Sequence, residues 1–411
     1  MECGLLGRKL SHSYSPQIHS YLGDYNYKIC ETELENLADI VNNQKFSGFN
    51  VTIPYKTEVI SYCKSLSPVA KAVGSVNTLV RGEAGSLWGH NTDAEGFLYM
   101  VNQLSAGVKN KKVMVLGNGG ASLSVCYVLR EQGAKEILIV SRKGELNYSN
   151  AYEHNDVEII VNTTPVGMYP NCGVSPIDLE KFPKCKAVLD LIYNPEKTAL
   201  MLQAETLGIN AIGGLSMLVA QAVASSIYFN GKPAKEGITE KVIQLLSAKM
   251  KNIILVGMPS SGKTTIGKAL ANKLGRKFVD ADEDLEKTYN KSIPDIFAKE
   301  GESGFREKEK CILAKLGKES GMVIATGGGC VTVEDNYNSL HQNGVIVWIK
   351  RELHLLKREG RPLSLNADLS KMYEVRSPLY KKFADIVIEN NKKQAEIVDI
   401  LEDKLNEFFS Y

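Results

Sequence analysis

The sequence predicts an α/β fold in several parts, and three observations carry that prediction. Twice an apolar strand pattern runs into a glycine-rich turn and on into a helical pattern: Val113 to Leu116 before GNGGAS (Gly117 to Ser122), and Ile253 to Val256 before GMPSSGKT (Gly257 to Thr264). Alternating strand and helix patterns of this kind belong to sheets covered by helices. The third observation is length: 411 residues correspond to two or three domains of about 150 residues each, and 44% hydrophobic content suffices for ordinary cores.

In chain order, residues 1–100 alternate apolar strands and helices, as a substrate-binding α/β unit would. Residues 101–213 read as a doubly wound dinucleotide-binding domain. After its first strand and turn, Val125, Val128 and Leu129 mark a helix that Gly133 is placed to end as a left-handed cap. Glycine at the turn lets the backbone approach a pyrophosphate held at the positive end of that helix. The next strand, Ile137 to Val140, ends in Ser141, Arg142 and Lys143, where an NAD-binding protein carries an acid for the ribose 2′-hydroxyl. Two cations there suit a 2′-phosphate and favour NADP, the plain alternative being a solvated loop pair. The apolar helix from Leu215 is expected to return to the first unit, which thereby gains residues 214–248.

The last domain, 250–411, opens with Ile253 to Val256, continuously apolar as a strand buried on both faces should be. Its turn fits G-x-x-x-x-G-K-[ST], in which backbone N–H groups wrap a polyphosphate, Lys263 neutralises it and the Thr264 hydroxyl reaches Mg²⁺. Ile266, Leu270 and Leu274 then share one helical face. In KFVDADEDLE a short strand delivers Asp280 and Asp282, both to one face if the strand continues, a geometry able to serve a metal and a hydroxyl together. Ser292 reads as the N-cap of a following helix, with Pro294 near its start and Asp295 three residues on. Val323 to Ala325 is another strand, ended by TGGG (Thr326 to Gly329), whose N–H groups can contact a small polar ligand. No Pro-, Gly- or Ser-rich tether precedes this domain: Leu246 to Asn252 passes directly from helix pattern to strand pattern.

Composition narrows the function. Forty-nine basic and 47 acidic residues nearly cancel, so no long-range field favours nucleic acid or anionic membranes. The apolar stretch Leu215 to Phe229 is too short, and with Gln221 too polar, to span a bilayer. Arg8, His12 and Ser13 interrupt any secretory signal near Met1. Eight cysteines lie scattered without C-x-x-C spacing, which reads as reduced thiols in a cytoplasmic protein rather than a zinc site or a disulfide framework.

Six ordered motifs between residues 3 and 248 resemble shikimate dehydrogenases: HSYSP (His12 to Pro16), NVTIPYK (Asn50 to Lys56), GSVNT (Gly74 to Thr78), NTD (Asn91 to Asp93), NTTPVGM (Asn162 to Met168) and GLSMLVAQA with Gln221. The resemblance implies a substrate domain followed by a Rossmann NADP-binding domain. It places Ser13 and Ser15 on the substrate carboxylate, with Thr52, Lys56, Asn77, Asp93, Tyr193 and Gln221 around the ring, and Lys56 and Asp93 as the catalytic pair. It also implies cofactor contacts from Gly117, Asn118, Gly119, Gly120 and Ala121 at the turn, from Ser141, Arg142 and Lys143, and from Thr163, Leu191 and Gly214. The chemistry fits the residue types: reducing a ketone needs a cation or acid at the oxygen where negative charge develops, and Lys56 held by Asp93 supplies one. Ser15, where quinate-using relatives tend to carry threonine, favours shikimate as product.

From about Lys251 onward the chain resembles shikimate kinase, a relative of the nucleoside monophosphate kinases with a phosphate-loop parallel sheet. The motifs are the phosphate loop, Asp280 with Asp282, GESGFREKE (Gly301 to Glu309), TGGG, REGRPL (Arg358 to Leu363) and RSPLY (Arg376 to Tyr380). The resemblance implies ATP contacts from Pro259, Ser260, Ser261, Gly262, Lys263, Thr264, Thr265 and Arg361, and Mg²⁺ held by Thr264 and Asp280. It implies shikimate bound by Asp282, Arg306, Gly328, Gly329 and Arg376, with Asp282, Lys263 and Arg361 catalytic. Planar guanidinium groups are suited to gripping a carboxylate. Two departures stand out. Ser260 occupies a position usually held by glycine, tolerable while the flanking glycines remain, and His354 lies about where an adenine-stacking arginine is common.

The combined reading is a bifunctional enzyme using NADPH, ATP and Mg²⁺ on two small molecules, 3-dehydroshikimate and shikimate, with no nucleic-acid, membrane or protein partner. A quinate or other hydroxy-acid dehydrogenase fused to a kinase of a different small acid is the nearest alternative. A ligand sensor without turnover is the other, and it is disfavoured because Lys56, Asp93, Lys263 and Asp282 are all present.

Overall fold

The computed structural model describes residues 1–10, 13–356 and 369–410. The chain forms two compact units. One comprises Met1–Gly167, Val174–Tyr193 and Gln203–Ile243, and the other Met168–Gly173, Asn194–Leu202 and Gln244–Tyr411.

The first unit contains two sheets. The N-terminal one has six strands, β1 (Glu2–Gly7), β2 (Asn26–Glu31), β3 (Phe46–Val51), β4 (Cys63–Leu66), β5 (Thr78–Arg81) and β6 (Leu87–His90), in the order β2-β1-β3-β5-β6-β4. β1 runs parallel to β2 and β3, whereas β5 is antiparallel to β3 and β6. The helix Leu215–Asn230 packs on this sheet through a glycine: a Cβ at Gly48 would lie 2.6 Å from the Phe229 ring. It also crosses the helix Thr92–Asn102 closely, since a Cβ at Gly96 would sit 2.7 Å from the Met217 carbonyl oxygen.

The second sheet is parallel throughout: β7 (Lys112–Leu116), β8 (Glu136–Val140), β9 (Ile159–Asn162), β10 (Ala187–Asp190) and β11 (Asn210–Gly213), ordered β11-β10-β9-β7-β8. Val113 through Leu116 are all buried, as a central strand covered on both faces requires. The helix Gly120–Glu131 follows its turn, and Gly133 is left-handed at φ 75° just beyond it.

The second unit holds a third, all-parallel sheet, β12 (Asn252–Val256), β13 (Phe278–Asp280), β14 (Val323–Ala325), β15 (Gly344–Lys350) and β16 (Ile386–Glu389), in the order β13-β14-β12-β15-β16. The period of two along β12 divides its core. Ile254 and Val256 pack with Leu285, Ile312 and Tyr380, whereas Ile253 and Leu255 pack with Ile266, Leu270 and Leu401. The helix Ile238–Met250 leads into β12 through Lys251 alone. Among the described residues no helix is long and apolar enough to cross a membrane.

Candidate active sites

Lys56 and Asp93 meet although they lie far apart in sequence. Lys56 Nζ is 2.5 Å from Asp93 Oδ2, and both side chains keep some exposure, 26% and 15%. Three local devices bring them together. Asn91 caps the helix Thr92–Asn102 by accepting the Ala94 N–H at 3.2 Å, which puts Asp93 in its first turn. Val76 N–H donates to the Lys56 carbonyl at 2.8 Å, tying the lysine loop to the segment that carries Asn77. Asn77 Nδ2 in turn donates to Asp93 Oδ1 at 2.9 Å.

Ser13 and Ser15 face each other, Oγ to Oγ at 3.1 Å, where the helix Ser15–Leu22 begins. Tyr14 between them meets Tyr193 edge to face at 6.1 Å, so Tyr193 belongs to the serine turn. Burial pushes the Tyr193 hydroxyl's pKa up, keeping it a neutral donor. Thr52 N–H donates to the Leu6 carbonyl at 2.9 Å beyond the end of β3. Gln221 is turned onto its own helix, its Nε2 donating to the Leu218 carbonyl at 2.8 Å. His12 lies outside the described residues.

At the second sheet, Gly117 takes φ 102°, and a Cβ there would come 2.8 Å from Thr163 Oγ1. Leu191 and Gly214 are closer still, a Gly214 Cβ falling 2.1 Å from the Leu191 carbonyl oxygen. Four strand ends thus converge on one rim. The helix Gly120–Glu131 starts behind Gly119 with no side chain capping it, an open N-terminus that fits a pyrophosphate. Ser141 is buried at the end of β8, while Arg142 and Lys143 are exposed beside it.

In the second unit the phosphate loop has the same order with more curvature. The helix Lys263–Leu274 starts behind Gly262 without a side-chain cap. Lys263 is buried, its Nζ donating to the carbonyls of Gly257 at 2.8 Å and Met258 at 3.0 Å. Thr264 Oγ1 donates to Asp280 Oδ2 at 2.8 Å. A hydroxyl and one carboxylate fit Mg²⁺, which binds through few protein oxygens and keeps waters and phosphate oxygens as its other ligands.

Asp280 and Asp282 do not share a strand face. β13 ends at Asp280, which caps the helix Ala281–Tyr289 by accepting the Asp282 N–H at 3.1 Å. Asp282 therefore projects from a first helical turn, because an aspartate beside three further acids favours an N-terminus over a longer strand. Ser260, too, departs from expectation. It adopts φ 62° itself, so the flanking glycines do not relieve it.

The glycine triplet gathers the remaining residues. A Cβ at Gly327 would lie 2.6 Å from Glu309 Oε1 and 2.9 Å from Asp282 Oδ1, and one at Gly329 would lie 2.1 Å from Arg306 Nη2. Arg306 Nη1 pairs with Glu309 Oε2 at 2.6 Å. Burial pushes the Glu309 carboxyl up against the opposing pull of Arg306. Arg376 Nη1 donates to the Gly328 carbonyl at 3.1 Å, and the Tyr380 hydroxyl donates to the same oxygen. Arg361 and the segment 358–363 lie outside the described residues, and His354 is exposed beside Glu352.

Residues 5–79 match the family model of the shikimate dehydrogenase substrate binding domain. The chain is 37% identical over 239 residues to a shikimate dehydrogenase (NADP(+)) of Clostridium beijerinckii, an alignment spanning 54% of this chain and 88% of that protein. The chain belongs to the shikimate dehydrogenase family. A second relative, the shikimate dehydrogenase (NADP(+)) of Caldanaerobacter subterraneus, is 35% identical over 56% of this chain and 91% of its own length. The crystal structure of a chorismate mutase/shikimate 5-dehydrogenase fusion protein from Clostridium acetobutylicum is similar at TM-score 0.56 and 35% identity, covering 60% of this chain and 97% of that one. The shikimate 5-dehydrogenase of Thermus thermophilus, solved with NADP(H) and shikimate, gives TM-score 0.55 at 29% identity over 60% of this chain and 99% of that one. Residues 259–406 match the shikimate kinase family model. The chain thus joins a shikimate dehydrogenase to a shikimate kinase.

Three side chains that hold this dehydrogenase–kinase in shape carry no role in the motif reading, although Asn162 opens the NTTPVGM motif. Asn162 Nδ2 donates to Asp190 Oδ1 at 3.0 Å, locking the ends of β9 and β10 beside Thr163 and Leu191, and both residues are fully buried. The signal is visible afterwards: polar Asn162 and Asp190 each close an apolar strand. The third, Asn390, donates to the Ser261 carbonyl at 2.7 Å and braces the phosphate loop from beyond β16. Nothing in its local sequence announces that contact.

Proposed function

We propose that the first unit reduces 3-dehydroshikimate to shikimate with NADPH and that the second phosphorylates the shikimate 3-hydroxyl with ATP and Mg²⁺. The observation that carries the reading is the Lys56–Asp93 pair, a partly exposed ammonium held by a carboxylate that is itself fixed by Asn77. NADPH supplies hydride to the ring carbonyl carbon. Lys56 Nζ stabilises the oxygen as charge develops and donates the proton that completes the hydroxyl. Asp93 Oδ2 keeps the ammonium aimed. The Ser13 and Ser15 hydroxyls orient the acid's carboxylate, Tyr193 closes over them, and Thr52, Asn77 and Gln221 line the ring. Gly117 to Ala121 receive the pyrophosphate, Ser141 to Lys143 the 2′-phosphate, and Thr163, Leu191 and Gly214 flank the nicotinamide.

In the kinase half ATP supplies the phosphoryl group, and the protein contributes position and charge. Lys263 and the loop from Pro259 to Thr265 hold the phosphates, while Thr264 and Asp280 hold the metal. Asp282 accepts a hydrogen bond from the attacking hydroxyl, Arg306 and Arg376 grip the carboxylate, and Gly328 and Gly329 place the ring. Arg361 is assigned to the transferring phosphate. We assign substrate binding to residues 1–100 and 214–248, NADP to 101–213 and the kinase to 250–411, an assignment supported by the separation of strands among three sheets. A cytoplasmic location is supported by eight unpaired cysteines, and the absence of a nucleic-acid partner by the near-cancelling charge.

The test follows NADPH absorbance as the purified chain meets 3-dehydroshikimate, then assays shikimate 3-phosphate after ATP and Mg²⁺ are added. Both signals are expected. NADP⁺ reduction by quinate without NADPH oxidation by 3-dehydroshikimate would replace the first half of the reading, and NADPH oxidation without formation of the phosphate ester would remove the second.

A further inference from the structure

Behind the Lys56–Asp93 pair lies a hydrogen-bonded chain that converges on one buried hydroxyl. Thr78, the first residue of β5, is fully buried, and three partners surround its Oγ1: Asn50 Nδ2 at 3.3 Å, Asn77 Oδ1 at 3.2 Å and Thr92 Oγ1 at 3.1 Å. Asn77 has a single workable orientation. The Thr92 backbone N–H can only donate, and it reaches Asn77 Oδ1 at 2.7 Å, so the amide oxygen faces inward and Nδ2 faces Asp93. Thr78 Oγ1 is placed to donate to Asn77 Oδ1 and to accept from Asn50 Nδ2, and Thr92 Oγ1, which accepts from Asn77 Nδ2 at 3.0 Å, lies beside it. The Tyr27 hydroxyl donates to Asn50 Oδ1 at 2.7 Å, with the Asn50 amide nitrogen toward Thr78. In this arrangement the donors of Tyr27, Asn50, Thr78 and Asn77 run in turn toward Asp93, and the Lys56 ammonium donates to Asp93 from the other side.

We propose that Thr78 is a positioning residue of the reductase. Its hydroxyl holds the Asn77 amide, and through Asn77 it keeps the Asp93 carboxylate and the Lys56 ammonium aligned with the carbonyl oxygen of the substrate. Thr78 touches neither substrate nor cofactor in this role. The inference rests on the assignment of Lys56 and Asp93 to the reduction. The chemistry favours such a device: a lysine that must meet a developing negative charge loses rate when its ammonium wanders, and a buried hydrogen-bonded network restrains it without adding charge.

The experiment measures reductase kinetics and thermal unfolding of the full chain with Thr78→Val, which keeps the shape and removes the hydroxyl, and with Thr78→Ser, which restores it. In Thr78→Val, kcat is expected to fall about tenfold, one hydrogen bond's worth of alignment, while the KM for NADPH stays within about twofold. Thr78→Ser is expected to return kcat to within about twofold of the parent. In an Asn77→Ala background the Thr78→Val change should cost less than about twofold, because the path to Asp93 is already cut. Unchanged kcat in folded Thr78→Val overturns the proposal, as does the same loss in both backgrounds, which would mark a purely structural role. Should Thr78→Val fail to fold, Tyr27→Phe carries the test: a fall in kcat of about threefold that vanishes in the Asn77→Ala background supports the chain, and an unchanged kcat overturns it. A parent protein that does not oxidise NADPH with 3-dehydroshikimate removes the functional assignment itself, an outcome separate from any difference between variants.

Discussion

The two nucleotide turns of this protein share a plan and differ in what they are built to do. Each follows a central buried strand and opens an uncapped helix. The first turn has one left-handed residue, Gly117, whereas the second has Gly257 at φ 145°, Ser260 at φ 62° and Gly262 at φ 99°. Repeated left-handed positions curl the backbone so that successive N–H groups face one point, a nest for phosphate oxygens. The second turn also carries Lys263 and Thr264, and the first has no charged side chain from Gly117 to Ser122. A dinucleotide's pyrophosphate is an anchor, which backbone and helix end can hold. A triphosphate is a reactant whose charge shifts during transfer, and that demands a cation and a metal-binding hydroxyl.

The largest effect expected from this contrast falls on chemistry rather than anchoring. Lys56→Ala should lower the reductase kcat by about 10²- to 10⁴-fold while NADPH still binds and the kinase keeps its rate. Unchanged turnover would remove Lys56 from the mechanism. Next, Lys263→Ala should lower kinase turnover by about 10²- to 10³-fold and leave NADPH oxidation untouched, a result that separates the reacting turn from the anchoring one.

Acid should separate the halves as well. His19 is buried, stacked on Tyr27 at 3.9 Å and hydrogen-bonded to Tyr25, and burial pulls its pKa down to about 3. A base depressed in the folded state gives stability that is complete above its unfolded pKa, near 6.5, and is lost as pH falls from there toward 3. Urea unfolding at pH 7 and pH 5 should show the first unit losing about 2 kcal/mol, a loss absent from His19→Phe. Glu309 in the second unit acts with the opposite sign. Its raised pKa gives a contribution that is complete at low pH and lost as pH rises. If both units weaken in parallel between pH 7 and pH 5, the contrast fails.

Two smaller effects return to the turns. Arg142→Ala should raise the KM for NADPH about tenfold with little change for NADH, the loss of one charge-assisted hydrogen bond to the 2′-phosphate. Equal weakening of both cofactors would place Arg142 elsewhere. Ser260→Gly should stabilise the second unit by about 1 kcal/mol, the left-handed penalty less the entropy glycine brings to the unfolded chain, readable in the urea midpoint.

Much of the plan was legible because it is local. The strand–turn–helix order at Gly117 and Gly257 and the Ser292 cap follow from neighbours in sequence. Asp280 and Asp282 would share one face only if the strand continued, and it does not, because β13 ends at the cap Asp280, two residues before Asp282. Ser260 was read as sheltered by its glycines, and it is itself left-handed, because backbone curvature is a property of the whole loop.

By itself the sequence determined the two chemistries, the phosphate loop through residue type and spacing and the rest through the family resemblance that its ordered motifs carry. Tertiary structure decided which groups are held and by what. Thr78 meets Asn50, Asn77 and Thr92, Asn390 braces Ser261, and the Gly328 carbonyl takes both Arg376 and Tyr380. These partners come from different strands and helices. Their pairing is set by burial, which forces each polar group taken out of water to find a partner among whatever the packed elements bring alongside it.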